Sequence, residues 1–271
     1  MRDPLGYEGR TVVMTGAASG MGDAAARLLV ELGAEVHVLD IGEVTAPVAG
    51  SIVTDLSDEG SIAAAVSRLP DEVHALFNCA GVPHPPAPPL TTMLVNFVGL
   101  RAVTEALVPR IPAGGAIASI ASSAGAGWRD NLDRVQDFLG RATFGEASAW
   151  LEANPDPGAD PYGFSKQAII VYTMARAREL AGRGVRINCI APSPTEGAFL
   201  DRLTGEGGMP PDLIEAFGPP IGRFATAGEM AGPLVLLNSA LAGFVSGQCL
   251  QVDYGYSAEV LTGQRENLLG Y

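Results

Sequence analysis

Tyr162 and Lys166 stand four residues apart, and of the 17 Lys and Arg side chains in the sequence only Lys166 is a lysine. An ammonium is compact, sits on a flexible stem and responds strongly to its surroundings, whereas guanidinium is a broad, permanently charged fork. One lysine kept among arginines therefore marks a position where arginine cannot substitute. Residues i and i+4 share a helix face, so the phenol and the ammonium can act on one small molecule. A free phenol titrates near ~10, too high for efficient base catalysis at neutral pH. A neighbouring positive charge favours the phenolate, and the pair becomes a tuned proton donor and acceptor. With six tyrosines in 271 residues, a lone lysine falls at this offset by chance in about one case in forty-five, and most helical Tyr/Lys pairs are packing plus a solvated charge.

The elements around the pair alternate between short apolar runs and longer helical stretches. Strands are expected at Arg10–Gly16, Glu35–Asp40, Ser51–Asp55, Val73–Asn78, Ala116–Ser122, Val185–Ala191 and Gln248–Asp253. Helices are expected at Asp23–Leu32, Ser57–Leu69, Thr91–Arg110, Tyr162–Ala181 and Ala227–Leu241. Buried β-branched runs alternating with helices imply βαβ units and a parallel sheet covered on both faces. The expected fold is a single α/β domain over residues 1–271, doubly wound and of Rossmann type, with about seven parallel strands. Three segments interrupt the alternation: the proline-dense Val82–Leu90, the helical insertion 126–161 closing on NPDPGADP, and the Gly/Pro-rich loop 192–222. All three follow strand C-terminal ends, where ligands bind in open α/β sheets.

Thr15-Gly16-Ala17-Ala18-Ser19-Gly20-Met21-Gly22 closes the first strand and opens the first helix. Small residues there let the backbone approach a pyrophosphate, and the helix N-terminus offers free amides. Asp40 ends the second strand, where a carboxylate accepts hydrogen bonds from ribose hydroxyls and repels a 2′-phosphate. No Lys or Arg stands in the glycine loop or beside Asp40, which favours NAD over NADP.

The TGxxxGxG spacing departs from GxGxxG and resembles the short-chain dehydrogenase/reductase family, and further matches follow in family order. Asn78-Cys79-Ala80-Gly81 resembles the NNAG element, Asp55 the aspartate near the adenine, and Asn96 the helix asparagine. Ser122, Tyr162, Lys166 and Arg186-Ile187-Asn188 complete the series, which runs to Val252-Asp253. The resemblance implies Tyr162 as acid/base, Lys166 on the nicotinamide ribose, Ser122 on the substrate oxygen and Asn96 positioning a relay water. It implies cofactor contacts from Gly16, Ser19, Gly20, Met21, Gly22, Asp40, Ile41, Asp55, Leu56, Asn78, Ala80, Gly81, Tyr162, Lys166, Pro192 and Thr195. Ser119 and Ser123 compete with Ser122; the family pattern selects Ser122, with Ser123 the runner-up on the opposite strand face. The family's turn after the sixth strand is altered to Pro192-Ser193-Pro194-Thr195, and Gly197 stands where a threonine is usual, so Thr195 is the candidate for the carboxamide contact.

The separation of Ser122 from Tyr162, widened by the insertion, resembles the 3α-hydroxysteroid dehydrogenase/carbonyl reductase branch, with its coniferyl-alcohol dehydrogenase-like members. An insertion there is expected to wall the substrate pocket, together with Phe199, Leu200, Met209 and Phe217. The expected substrate is a small hydrophobic secondary alcohol or ketone; an aryl or allylic alcohol and a non-catalytic NAD-binding regulator are the alternatives. Family members assemble through helices beginning near Thr91 and Tyr162, which implies a homodimer or homotetramer. The net charge of −13 argues against nucleic-acid and anionic-membrane partners. Cys79, Cys189 and Cys249 lie far apart in apolar runs, and His37, His74 and His84 lack ligand spacing, so neither disulfides nor a metal site is expected. No leader-like or long uncharged apolar run is evident, and the expected location is cytoplasmic.

Overall fold

A computed structural model describes residues 3–154, 160–206 and 208–271. Seven parallel strands form one sheet: β1 (Thr11–Thr15), β2 (Glu35–Asp40), β3 (Gly50–Val53), β4 (Ala75–Asn78), β5 (Ala116–Ile120), β6 (Arg186–Pro192) and β7 (Cys249–Val252). Their spatial order is β3-β2-β1-β4-β5-β6-β7. The chain winds outward from β1 in one direction and then from β4 in the other, so a crevice opens where the C-terminal ends of β1 and β4 diverge.

The helices are α1 (Gly20–Glu31), α2 (Glu59–Val66), α3 (Pro89–Met93), α4 (Leu100–Leu107), α5 (Leu132–Leu139), α6 (Phe144–Ala153), α7 (Pro161–Ala181), α8 (Ala198–Thr204), α9 (Pro211–Ala216), α10 (Ala227–Asn238) and α11 (Tyr256–Leu261). One sheet face, with Val13, Leu76, Ile117 and Ile187, packs on α2, α4 and α7. The other, with Met14, Val38, Phe77 and Ile190, packs on α1 and α10. Alternate residues of each strand thus serve opposite cores, which is why the strands read as continuous apolar runs rather than alternating ones. The helical run Pro89–Arg110 has the length to cross a bilayer and an 18-residue window of mean hydropathy 1.2, yet 67% of that window is buried inside the fold.

That run is not one regular helix. A π-helical turn, Leu94–Gly99, joins α3 to α4 and carries Asn96. Gly99 lies against the backbone of Leu56, where a Cβ would come within 2.2 Å of the carbonyl oxygen. The extra residue of a π turn redirects side chains, and such turns recur at functional sites.

Among the described residues the insertion 126–161 forms α5 and α6, and neither of these helices builds the expected wall of the substrate pocket. Its apolar side turns inward onto the π turn and α7. The Phe138 ring lies 5.4 Å from Phe97, 5.0 Å from Trp150 and 5.7 Å from Phe164. Trp150 stacks on Phe164 at 6.1 Å, and its indole N–H donates to Asp137 at 2.7 Å. A reciprocal cap between Thr143 and Glu146 opens α6, satisfying amides that the first turn leaves without helical acceptors. Most of the closing run NPDPGADP, 155–159, lies outside the described residues. Burying aromatics against the neighbouring helices removes more apolar surface from water than facing a solvated cleft would, and that decides the direction.

Phe138→Ala is therefore expected to cost about 3–5 kcal/mol of stability while leaving the ratio of kcat/KM between two alcohols unchanged. Urea unfolding paired with kinetics on both substrates checks this, and a changed ratio in a fully folded variant would contradict the assignment.

Candidate active site

A cavity of about 760 Å³ runs along the C-terminal ends of the strands. At one end the backbone turns from β1 into α1. Gly16 holds φ of +72°, and a Cβ there would sit 2.3 Å from the backbone of Ala80. At Gly22 a Cβ would meet the Gly16 carbonyl at 1.8 Å. Only glycine fits either position, and the result is a shallow cradle under the first-turn amides of α1, suited to phosphate oxygens. The Asp40 carboxylate accepts from the Ala18 amide and the Gly42 amide, both at 2.8 Å. It is fixed at the lip of the cradle, beside the exposed side chain of Ile41. Asp55 accepts from the Ser57 amide at 2.8 Å and the Ser57 hydroxyl at 2.7 Å, shaping the turn that carries Leu56 to the same wall.

Of the residues expected at the cofactor, Gly16, Ser19, Gly20, Met21, Gly22, Asp40, Ile41, Asp55, Leu56, Ala80, Gly81, Tyr162, Lys166, Pro192 and Thr195 all line the cavity. Asn78 does not line it. It is buried, donating to the hydroxyls of Thr104 at 3.0 Å and Ser119 at 3.3 Å, so it ties β4 to α4 and β5 beneath the cavity floor. The Thr195 hydroxyl donates to the Ser193 carbonyl at 3.0 Å.

Tyr162, Ser122 and Lys166 meet in the middle of the cavity. Ser122 ends the loop after β5, and its hydroxyl is hydrogen-bonded to the Tyr162 phenol while accepting from the Ala124 amide at 3.2 Å. Ser119 is committed to Asn78, and Ser122 is the serine that reaches the phenol. The Lys166 ammonium lies 5.4 Å from the Tyr162 ring centre and donates to the Ile120 carbonyl at 3.0 Å. Asn96 lies behind them, fully buried and outside the cavity wall. Its amide accepts from the Val82 N–H at 2.8 Å, donates to the Val82 carbonyl at 3.0 Å and reaches the Ser165 hydroxyl at 3.3 Å. The side chain thus clamps the loop after β4 to α7.

Electrostatics here differ from the expectation of a phenol lowered by its lysine. Burial pushes the Tyr162 phenol up to about 12, the Ser122 hydrogen bond lowers it, and the Asp160 carboxylate raises it further. The same burial brings the Lys166 ammonium down to about 8, with Cys189 and Cys79 acting weakly the other way. Desolvation disfavours both charged forms, and the ammonium is turned toward a carbonyl rather than the phenol oxygen.

At the far end the wall is Val82, Val95, Phe199, Leu203, Met209 and Phe217. The Phe199 ring lies 5.8 Å from the Tyr162 ring. From the insertion only Asp160 joins the wall among the described residues. Leu268 and Leu269 also join it; no sequence motif singles them out, and only the chain's return path after β7 brings them there.

The family model described as short chain dehydrogenase matches residues 10–131, and that described as Enoyl-(Acyl carrier protein) reductase matches 149–257. Coniferyl-alcohol dehydrogenase of Pseudomonas sp. strain HR199 is 33% identical over 92% of this chain and 97% of its own length. The chain belongs to the short-chain dehydrogenase/reductase family. The 3-alpha-hydroxysteroid dehydrogenase/carbonyl reductase of Comamonas testosteroni is 30% identical, over 91% of this chain and 96% of its own. The crystal structure of a 3-alpha-hydroxysteroid dehydrogenase from Pseudomonas sp. B-0831, complexed with NADH, superposes with a TM-score of 0.78 at 27% identity, covering 95% of this chain and 100% of that one. The protein is accordingly an oxidoreductase acting on CH–OH groups.

The buried lysine of this dehydrogenase gives a pH signature. Lys166 loses its proton near 8 in the folded protein and near its ordinary 10.5 when unfolded. Between those values the unfolded chain binds more protons, so this group makes stability rise with pH there. Below 8 its full burial penalty is felt; above 10.5 none remains. Lys166→Met is expected to be the more stable protein at pH 7, with its advantage shrinking from pH 8 upward. Urea titrations of both proteins across that range check the sign.

Proposed function

We propose that the protein is an NAD(H)-dependent oxidoreductase interconverting a hydrophobic secondary alcohol and its ketone, with Tyr162 as the acid/base. The observation that carries this reading is the meeting of Tyr162, Ser122 and Lys166 midway between a phosphate-sized cradle and an apolar chamber. The glycine cradle, whose space a Cβ would fill, fits a dinucleotide pyrophosphate, held by Gly16, Ser19, Gly20, Met21 and Gly22. Asp40 supports NAD over NADP: its carboxylate is fixed by two amides, and no Lys or Arg side chain is hydrogen-bonded to it among the described residues. When bound, NAD supplies the hydride acceptor and a positively charged ring.

In ketone reduction Tyr162 donates its proton to the substrate oxygen. A phenol near 12 holds that proton firmly in the resting site and gives it up as negative charge builds on the oxygen within hydrogen-bonding reach. The Ser122 hydroxyl holds the same oxygen and stabilises that charge. In alcohol oxidation Tyr162 takes the proton, and the positive charge of Lys166 favours the phenolate that accepts it. Lys166 would hold the nicotinamide ribose of a bound dinucleotide, and Asn96 fixes the loop that places Gly81 beside the ammonium. The Comamonas testosteroni relative and the Pseudomonas structure support a polycyclic alcohol of steroid type. The coniferyl-alcohol dehydrogenase relative supports a second reading, an aryl or allylic alcohol, which the Phe199 ring beside Tyr162 would also accommodate. Since α5 and α6 pack on the π turn and α7, we read the assembly as a homodimer rather than a tetramer, which light scattering would test.

NAD reduction across steroid, aryl and cyclic alcohols is expected to select a bulky apolar substrate. On that substrate Tyr162→Phe is expected to lower kcat by about a hundred- to ten-thousandfold with NAD affinity unchanged in fluorescence titrations. Asp40→Ala should weaken NAD binding. Preference of the purified enzyme for NADP, or undiminished turnover by the phenylalanine variant, would refute the reading.

A further inference from the structure

The stretch that follows α11, residues 264–271, has no regular secondary structure, yet it is held by a dense set of specific contacts. The Arg265 guanidinium donates to the Gly218 carbonyl at 2.7 Å, pairs with Glu259 at 2.8 Å and lies 4.9 Å from the centre of the Tyr256 ring. Gly218 directly follows Phe217, a residue of the chamber wall, so Arg265 fastens α11 to the loop 192–222. The Asn267 carboxamide oxygen accepts from the amides of Gly270 and Tyr271, both at 2.9 Å, closing a tight turn. Gly270 holds φ of +77°, and a Cβ there would come 3.0 Å from the Cα of Gly127. Gly127 belongs to the turn that begins right after Ser122. The two backbones meet because both residues are glycine, and the stretch is thereby seated against the turn that positions the catalytic serine. The Tyr271 ring packs 6.0 Å from Tyr256.

These fastenings leave Leu268 and Leu269 in the cavity wall. Leu268 is 45% exposed and Leu269 half-buried, and among the described residues neither is part of the two hydrophobic cores. A turn held at Arg265, Asn267 and Gly270 while its two leucines face an open chamber is arranged for an apolar occupant. We propose that residues 264–271 form the substrate-selecting wall of the active site, with Leu268 and Leu269 contacting the apolar body of the substrate beyond its carbinol carbon. The inference rests on reading the cavity as the alcohol/ketone site. It transfers to this stretch the selecting role that the insertion's position had suggested for α5 and α6.

The test compares wild type with Leu269→Ala and Leu269→Ser, using cyclohexanol and androsterone as small and polycyclic alcohols. Losing apolar contact in such a pocket is expected to lower kcat/KM for androsterone by about tenfold, the lower end of what small changes in pocket packing give. The loss on cyclohexanol should be several-fold smaller, and NAD affinity and thermal midpoint should stay as in wild type. Binding of androstanedione, followed by calorimetry, should weaken by the same factor. That measurement reads the wall without turnover, so a failure of the NAD assignment leaves it informative. Equal losses on both alcohols with a lowered midpoint would show a merely structural stretch and overturn the proposal. So would androstanedione binding that is unchanged in the variants or undetectable in the wild type.

Discussion

A charge inside a protein must be held by something, and the Lys166 ammonium sets the terms for everything around it. Only 4% of the residue is exposed, and the acceptor it finds is the Ile120 carbonyl at 3.0 Å. Taking an ammonium out of water is costly unless its donors are met, and the fall of its pKa to about 8 expresses that cost. The ends of β4, β5 and β6 converge to make the niche. Gly81 keeps side-chain atoms out of it, since a Cβ would approach to 3.4 Å from the Asn96 carboxamide oxygen and 3.7 Å from the ammonium. Asn96 in turn must hold the Val82 backbone, and the π turn at Leu94–Gly99 aims it there.

Such a niche works only if α7 does not move, and the insertion supplies that rigidity. From Gly163 to Thr173 α7 is buried without a break. An ordinary surface helix shows an apolar stripe and a polar face; a helix buried all round shows neither. One side of α7 packs on the sheet, and Phe164 meets Phe138 and Trp150 of α5 and α6. The Asn131 amide donates to Gln167 at 3.1 Å, one residue beyond Lys166. The inserted helices therefore act on the chemistry by fixing the helix that carries it.

Features governed by local chemistry could be read from the chain. The strands stand out as buried apolar runs, Gly16 and Gly22 as positions with no room for a Cβ, and Tyr162 and Lys166 as a helical i, i+4 pair. Features governed by which surface wins a contest for burial could not. The spacing of Leu132, Val135 and Phe138 shows an apolar helix face but not whether it meets a pocket or a core. Asn78 falls in a family motif, yet its amide N–H groups are spent on Thr104 and Ser119 beneath the cavity floor. Leu268 and Leu269 reach the cavity through Arg265 and a glycine–glycine approach between residues 127 and 270, a contact between distant stretches that no local pattern announces. The balance between Tyr162 and Lys166 escaped for a related reason. Spacing places an ammonium near a phenol, but orientation gives it to the Ile120 carbonyl, and burial then outweighs mutual attraction.

That balance has a consequence for how the site responds to what enters it. Burial raises the phenol and lowers the ammonium, so the resting pair is closer to its uncharged forms than either group would be in water. A positive charge brought into the cavity favours the phenolate and disfavours the ammonium; a negative charge does the reverse. The pair is therefore not a fixed base with a fixed helper. In a dry site the coupling between charges is stronger than in water, so the charge of the occupant shifts the proton balance of Tyr162 and Lys166. On the proposed chemistry, Tyr162 and Lys166 need no rearrangement to serve both directions of an alcohol–ketone interconversion. What they need is the same thing the insertion and the Asn96 clamp provide: positions that hold still while the charge around them changes.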